Sequence, residues 1–274
     1  MKLHPFNESF AWRSSTATDA TNGHTFLSAA QIEQFDRDGY CLVENAFSAE
    51  TLATLTAAID PHEQQGTDFL RTQPDESFFI AKADAITFTV HLVARNEVCR
   101  QFTRHDSLLG VAGDLIGDNV SMYWDQAVYK KPEPVRDFPW HQDNGYAYVE
   151  PQQYLTCWVP LTDATVDNGC PWVAPGVHRI GTLEHTVGPF GLSCLDSFED
   201  SIPVEAPAGS IVVFSSLTPH RTGPNRTDQV RKSYIVQYAP TGSIIRNSAD
   251  PADRTTANDP KRQYEVLRHG IAVA

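Results

Sequence analysis

Three residues of this 274-residue chain could share one metal ion. In Pro139-Trp140-His141-Gln142-Asp143, extended backbone sends residues i and i+2 to the same face, which sets the His141 imidazole beside the Asp143 carboxylate. His220, in Leu217-Thr218-Pro219-His220, follows the apolar run Ser210-Ile211-Val212-Val213-Phe214, and a β-core could carry it across to the first two. Two histidines and one carboxylate on one face of a metal form the facial triad of non-haem Fe(II) chemistry, with positions left open for substrate and O2. Taken alone, an H-x-D pair occurs by chance in many proteins, and a histidine after a strand is usually a packed or solvent-facing residue.

The elements that must position these side chains change character along the chain. Ser28-Ala29-Ala30-Gln31 fits a capping box, Ile32 and Phe35 share a face, and Gly39 supplies a stop, so a helix is expected from Ser28. Tyr40-Cys41-Leu42-Val43 reads as a short strand. A second helix, capped by Ser48 and striped by Leu52, Leu55 and Ile59, is expected to end at Asp60-Pro61, because the residue before proline is pushed out of the helical region. Further helix is expected within 96–116. After residue 120 the segments 121–130, 154–161, 171–174, 210–216 and 233–239 are short, rich in β-branched and aromatic residues, and punctuated by Asn168-Gly169, Pro175-Gly176 and Pro207-Ala208-Gly209. No 30-to-40-residue repeat accompanies them, which favours a sandwich or jelly roll over a propeller. Residues 1–26 read as a polar arm and 27–274 as a single domain, with the stretch after about 247 read as loop and a short ending segment.

Composition narrows the functions. Lys plus Arg number 21 against 34 Asp plus Glu, a formal net charge of −13, which argues against affinity for nucleic acid or anionic lipid. No run of 18 apolar residues suggests a membrane span, and the start of the chain does not read as a signal peptide. The five cysteines are scattered, without a C-x-x-C pair, and read as reduced thiols in a cytoplasmic protein.

Across most of 27–240 the sequence resembles the phytanoyl-CoA dioxygenase family of Fe(II)- and 2-oxoglutarate-dependent oxygenases. His141-Gln142-Asp143 is similar to the family's H-x-D, and Trp158 follows at the usual distance. Asn168-Gly169-Cys170, Pro175-Gly176 and His178 resemble its N-G-C…P-G-x-H stretch, and His220 its distal histidine. Eleven residues later comes Arg231, where the family keeps the arginine that grips 2-oxoglutarate; a guanidinium fork suits a carboxylate remote from the metal. Thr222 stands where the family places a hydroxyl against the same carboxylate. The resemblance implies a mainly β fold with flanking helices, the double-stranded β-helix or jelly roll, with Fe(II) held by His141, Asp143 and His220. The co-substrates would be 2-oxoglutarate and O2, with Arg231, Thr222 and Trp158 at the 2-oxoglutarate site.

On that reading the protein is a 2-oxoglutarate-dependent dioxygenase that hydroxylates an unactivated C–H bond of a small metabolite and releases succinate and CO2. Desaturation, cyclisation and epimerisation on the same centre stay open. Asp143 argues against halogenation, because related halogenases carry a small residue in its place. A cupin would want H-x-H and a following Glu, and a non-catalytic jelly-roll binding protein would not need the full ligand set. The alternating face Trp124, Gln126, Val128 and Lys130 could look into the pocket, with Gln126 and Trp124 as substrate contacts, although period 2 describes an ordinary core strand equally well. Asp163-Ala164-Thr165-Val166-Asp167-Asn168-Gly169 fails the EF-hand pattern and reads as a turn; His178 reads as structural, Arg221 and Arg226 as rim residues.

Overall fold

The computed structural model describes residues 1–7, 10–14, 26–250 and 252–273, so residues 8, 9 and 15–25 of the expected arm lie outside the described residues. The helices are α1 (Ala29–Asp38), α2 (Ala49–Arg71), α3 (Glu97–Phe102) and α4 (Asp106–Ile116). The strands of the first half are β1 (Tyr40–Val43), β2 (Ser77–Phe78), β3 (Ala81–Lys82), β4 (Ile86–Val90) and β5 (Val120–Lys130). Then come β6 (Phe138–His141), β7 (Tyr148–Glu150), β8 (Leu155–Pro160), β9 (Pro171–Val173), β10 (Thr186–Gly188), β11 (Gly191–Ser193) and β12 (Ile202–Pro203). The last are β13 (Ile211–Ser215), β14 (His220–Thr222), β15 (Arg231–Pro240), β16 (Ile244–Arg246), β17 (Arg254–Thr256), β18 (Glu265–Arg268) and β19 (Ile271–Ala272).

A large antiparallel sheet runs β1-β13-β8-β15-β5-β4-β3-β2, with β18 also pairing with β5 and leading to β19. A smaller sheet runs β12-β9-β14-β6, and its Val173 and Trp172 pack against Trp158, Val212, Phe214 and Ile235 of the large one. Period-2 alternation sorts each strand of the large sheet into two jobs. On β8, Leu155, Cys157 and Val159 join the helix-side core with Phe35, Leu55, Ile59 and Leu108, while Trp158 belongs to the inter-sheet core. Ile211 and Val213 alternate with Val212 and Phe214 in the same way, as do Tyr234 and Val236 with Ile235. The result is the expected mainly β jelly roll with helices laid on one outer face.

Local chemistry explains the helix ends. The Ser28 hydroxyl accepts from the Gln31 N–H, and the Gln31 side chain accepts from the Ser28 N–H at 2.9 Å, the reciprocal capping box. Gly39 closes α1 at φ 82°, and a Cβ there would fall 2.5 Å from the Thr218 hydroxyl, so no side chain fits.

Helix α2 does not end at Pro61, as its sequence suggests, but continues to Arg71. Burial recurs at helical spacing on both sides of the proline, through Ile59, Glu63, Thr67 and Leu70, and this tertiary anchorage outweighs the local penalty of the missing N–H. In the turn preceding the proline, Asn96 donates its side-chain amide to the Ala58 carbonyl at 3.2 Å. Glu63 accepts the Thr67 and Thr87 hydroxyls at 2.8 Å each and sits 3.4 Å from the Lys131 ammonium. The helix expected within 96–116 is present as α3 and α4, separated where His105 takes extended backbone and caps α4 through its Nδ1 on the Ser107 N–H. The C-terminal stretch carries more strand than expected: β16 joins β7 and β17, and β18 joins β5.

Truncating Glu63 would leave the Thr87 hydroxyl without its acceptor and take the carboxylate away from the half-buried Lys131, which would keep only the Thr67 hydroxyl and the Ala83 carbonyl. Glu63→Ala should therefore cost about 2–3 kcal/mol of stability, read as a lowered urea midpoint at unchanged slope.

Candidate metal centre

His141 closes β6 and His220 opens β14, and the two residues face each other directly in the antiparallel register of the small sheet. Gln142 is extended, at φ −108° and ψ 143°, so the Asp143 side chain returns to the His141 side before the chain turns at Asp143–Gly145. One donor atom from each of His141, Asp143 and His220 lies within 4.8 Å of the others. The Asp143 Oδ1 is 3.9 Å from the Nε2 of each histidine.

Backbone carbonyls fix how the imidazoles are presented. His141 Nδ1 donates to the Pro139 carbonyl at 2.8 Å and His220 Nδ1 donates to the Thr218 carbonyl at 3.0 Å. Since a carbonyl only accepts, the proton of each neutral ring sits on Nδ1 and the Nε2 lone pair points at the other two donors, the arrangement a metal ligand requires. Burial pushes the His141 pKa down to about 3 and that of His220 to about 4, so both rings are neutral at ordinary pH. Burial raises the Asp143 pKa, opposed by His141 and by hydrogen bonding from Thr156 and Gln237. The Thr156 hydroxyl donates to the Asp143 Oδ2, and Gln237 donates to that hydroxyl at 3.1 Å. Two neutral imidazoles and a carboxylate, each braced from behind, suit a divalent first-row ion such as Fe(II).

Between the two residues of the motif, Gln142 points away into the protein. Its amide donates to the Gly181 carbonyl at 3.0 Å and accepts from the Leu183 N–H at 2.6 Å, while its own N–H donates to His185 Nε2 at 2.9 Å. The metal-facing strand end is thus bolted to 181–185.

The three side chains share a pocket with Ile86, Phe88, Gln126, Val128, Phe138, Thr156, Trp158, Phe214, Thr222, Arg231 and Ile235. The strongest electrostatic feature there is Arg231, 1% exposed at the start of β15. Its Nη1 donates to the Ser233 hydroxyl at 2.7 Å, its guanidinium lies 5.3 Å from the Trp158 ring centre, and among the described residues its Nε and Nη2 have no hydrogen-bond partner. Burial lowers its pKa to about 10, which leaves it charged. A buried cation with two unanswered donors in a metal pocket calls for an anion, and a carboxylate offers two acceptors in the matching plane.

Of the residues singled out from sequence, Thr222, Trp158 and Gln126 line this pocket with Arg231 and the three donors. Trp124 does not: it packs edge-on against His91, ring centres 4.2 Å apart. The 163–169 segment is a turn, with Asn168 donating to the Asp163 carbonyl and accepting from the Thr165 N–H. His178 is buried against Trp12, and Arg221 pairs with Asp137 at 3.4 Å and lies over Trp172. Thr156, Gln237 and Gln142 were not foreseen. Thr156 could have been found as the same-face neighbour of Trp158, but the other two act through long-range contacts that no local pattern marks.

Comparison with known proteins agrees with this geometry. The family model for phytanoyl-CoA dioxygenase matches residues 35–233. An ectoine dioxygenase of Bordetella bronchiseptica is 27% identical over 249 residues, covering 82% of this chain and 78% of the relative. Among solved structures, an α-ketoglutarate-dependent carbocyclase of nogalamycin biosynthesis superposes with a TM-score of 0.72 at 20% identity, covering 91% of this chain and 99% of that one. An epimerase of the same biosynthesis, solved with Fe3+, α-ketoglutarate and nogalamycin RO, gives 0.64 at 19% identity, covering 89% and 94%.

The brace behind Asp143 can be tested directly. Thr156→Val should weaken Mn(II) binding about 10- to 100-fold, measured by titration of the free-ion signal in magnetic resonance, while the melting temperature changes little.

Proposed function

The chain belongs to the phytanoyl-CoA dioxygenase family of Fe(II)- and 2-oxoglutarate-dependent oxygenases, and we propose that it hydroxylates an unactivated C–H bond of a small metabolite, with His141, Asp143 and His220 as its iron ligands. The observation that carries the assignment is the convergence of two Nε2 lone pairs and one carboxylate, with the tautomers fixed by Pro139 and Thr218. Iron in this setting, with 2-oxoglutarate and O2, supplies the oxidising power that converts the co-substrate to succinate and CO2 and breaks the C–H bond.

The protein's own part is binding and exclusion. Arg231 would take the far carboxylate of 2-oxoglutarate with the two donors it has free, Thr222 would add a hydroxyl, and Trp158 would hold the guanidinium plane. Thr156 and Gln237 hold Asp143 so that its other oxygen stays directed at the two histidines. Phe88, Phe138, Phe214 and Ile86 wall the pocket with apolar surface, which keeps water from competing for the reacting centre. Gln126 stands on the wall from β5 as a polar contact for substrate.

For the substrate we favour a small free metabolite over a CoA thioester, since a formal net charge of −13 offers little to a phosphate-rich carrier. No helix among the described residues is long and apolar enough to cross a membrane. We place the protein in the cytosol, supported by five cysteines that form no disulfide. We treat 27–274 as one domain, supported by the pairing of β1 with β13 and of β18 with β5 in a single sheet, and 1–26 as an arm.

Purified protein given Fe(II), 2-oxoglutarate and O2 should release succinate, and His141→Ala, Asp143→Ala and His220→Ala should each abolish it with the fold intact by circular dichroism. Near-parental succinate release in any two of these would remove the triad. Arg231→Ala should raise the KM for 2-oxoglutarate at least about 100-fold while leaving Fe(II) affinity within a few-fold, as expected when a charge-assisted fork is lost away from the metal.

A further inference from the structure

Lys130 is 2% exposed at the end of β5, on the same face as Gln126 and Val128 and directly opposite Arg231 in the antiparallel register. Its ammonium donates only to backbone carbonyls: Arg136 at 3.3 Å, Thr222 at 3.2 Å, and Gly223 closer still. Among the described residues neither Lys130 nor Arg231 has a carboxylate partner, so two buried cations stand side by side, Arg231 in the wall of the pocket and Lys130 behind it. Buried charges ordinarily come paired, and two of the same sign on adjacent strands are harder to hold than one.

Two of the three carbonyls that Lys130 gathers, those of Thr222 and Gly223, belong to the turn carrying Thr222, and the third, that of Arg136, to the loop before β6. That turn is tightly seated from its other side as well, because Gly169, at φ 83°, lies so near it that a Cβ would fall 2.4 Å from the Gly223 oxygen. Thr222 lines the pocket, whereas Lys130 stands behind the lining.

We propose that Lys130 is a positioning residue for the co-substrate, a second cation that fixes the Thr222–Gly223 turn beside Arg231 and takes up a proton when the dicarboxylate binds. This rests on the assignment of the pocket to 2-oxoglutarate. The groups facing the ammonium are Arg231 from β15, Arg221 from β14, and Asp137 and Glu133 from the loop before β6. Burial first, and the charge of Arg231 second, lower the Lys130 pKa to about 7, with Arg221 adding to the fall and Asp137 and Glu133 opposing it. A carboxylate on Arg231 cancels the repulsion from that neighbour, so the pKa of Lys130 rises in the complex. A group whose pKa is higher in the complex favours binding fully below its free value, and loses that contribution as pH climbs through the free value toward the bound one. Affinity for 2-oxoglutarate should therefore fall between about pH 7 and pH 9, and binding near pH 7 should consume a proton.

The test is calorimetric titration of 2-oxoglutarate into Mn(II)-loaded protein at pH 7.0, in two buffers of different ionisation enthalpy. The parental protein should take up about half a proton per 2-oxoglutarate, the share of lysine left neutral at its free pKa. Lys130→Gln, which keeps an N–H donor for the carbonyls, and Lys130→Met should take up none, bind about five- to tenfold more weakly at pH 6.5, and show a flat affinity from pH 6.5 to 9. Tight parental binding without proton uptake would overturn the inference, as would uptake that survives in Lys130→Gln, and the parental measurement decides even if a variant does not fold. Failure of the parental protein to bind 2-oxoglutarate at all would instead overturn the co-substrate assignment, and the inference with it.

Discussion

A guanidinium at 1% exposure with two donors unanswered is the constraint around which this protein is organised. Removing an unpaired charge from water costs several kcal/mol even after relaxation, so a fold that keeps one in place must fix it from all sides and reserve a ligand for it. Arg231 is fixed by its position in β15, between β5 and β8 in the middle of the large sheet, by Ser233 two residues on, and by the Trp158 ring from the next strand. Those same strands deliver Gln126 and Thr156 to the pocket. The two unanswered donors are thus carried by the first residue of a strand that lies between two others in the large sheet.

The two histidines of the candidate metal centre are set by the other sheet. Pairing His141 with His220 across β6 and β14 fixes their separation through backbone hydrogen bonding, and carbonyls two residues upstream of each ring fix their tautomers. Asp143 bridges the two sheets: its backbone continues from β6, while its carboxylate is held by Thr156 of β8. Strand alternation keeps catalytic and structural duties apart, since the residues that face the helices never face the pocket. Helices α1 and α2 therefore support the chemistry without touching it.

This division explains what could be read from sequence. The triad, Arg231, Thr222 and Trp158 were legible because their spacing and surrounding text resemble a family, and α1 because its capping box and terminal glycine are local signals. Pro61 is a strong local signal for a helix end, but in α2 it is overruled by Glu63, whose partners Thr87 and Lys131 are distant in sequence. The helix expected within 96–116 is present as α3 and α4, whereas the strands after residue 243 have no local signal, the pairing of short polar segments being set by distant neighbours such as β7 and β5. Trp124 shares an alternating face with Gln126 but lies one step beyond the pocket, against His91. Periodicity gives the face of a strand and not how far along it a cavity extends.

The central claim is that one pocket binds iron through His141, Asp143 and His220 and 2-oxoglutarate through Arg231. Its most direct test is the visible charge-transfer absorption of the anaerobic protein given Fe(II) and then 2-oxoglutarate, which reports chelation of the keto acid to the metal without any need for substrate. The expected result is a band that appears only with both components, is lost in Asp143→Ala, and in Arg231→Met requires far higher 2-oxoglutarate to reach the same intensity. A parental protein that shows no band, or an Arg231→Met protein that saturates at the parental concentration, would contradict the claim.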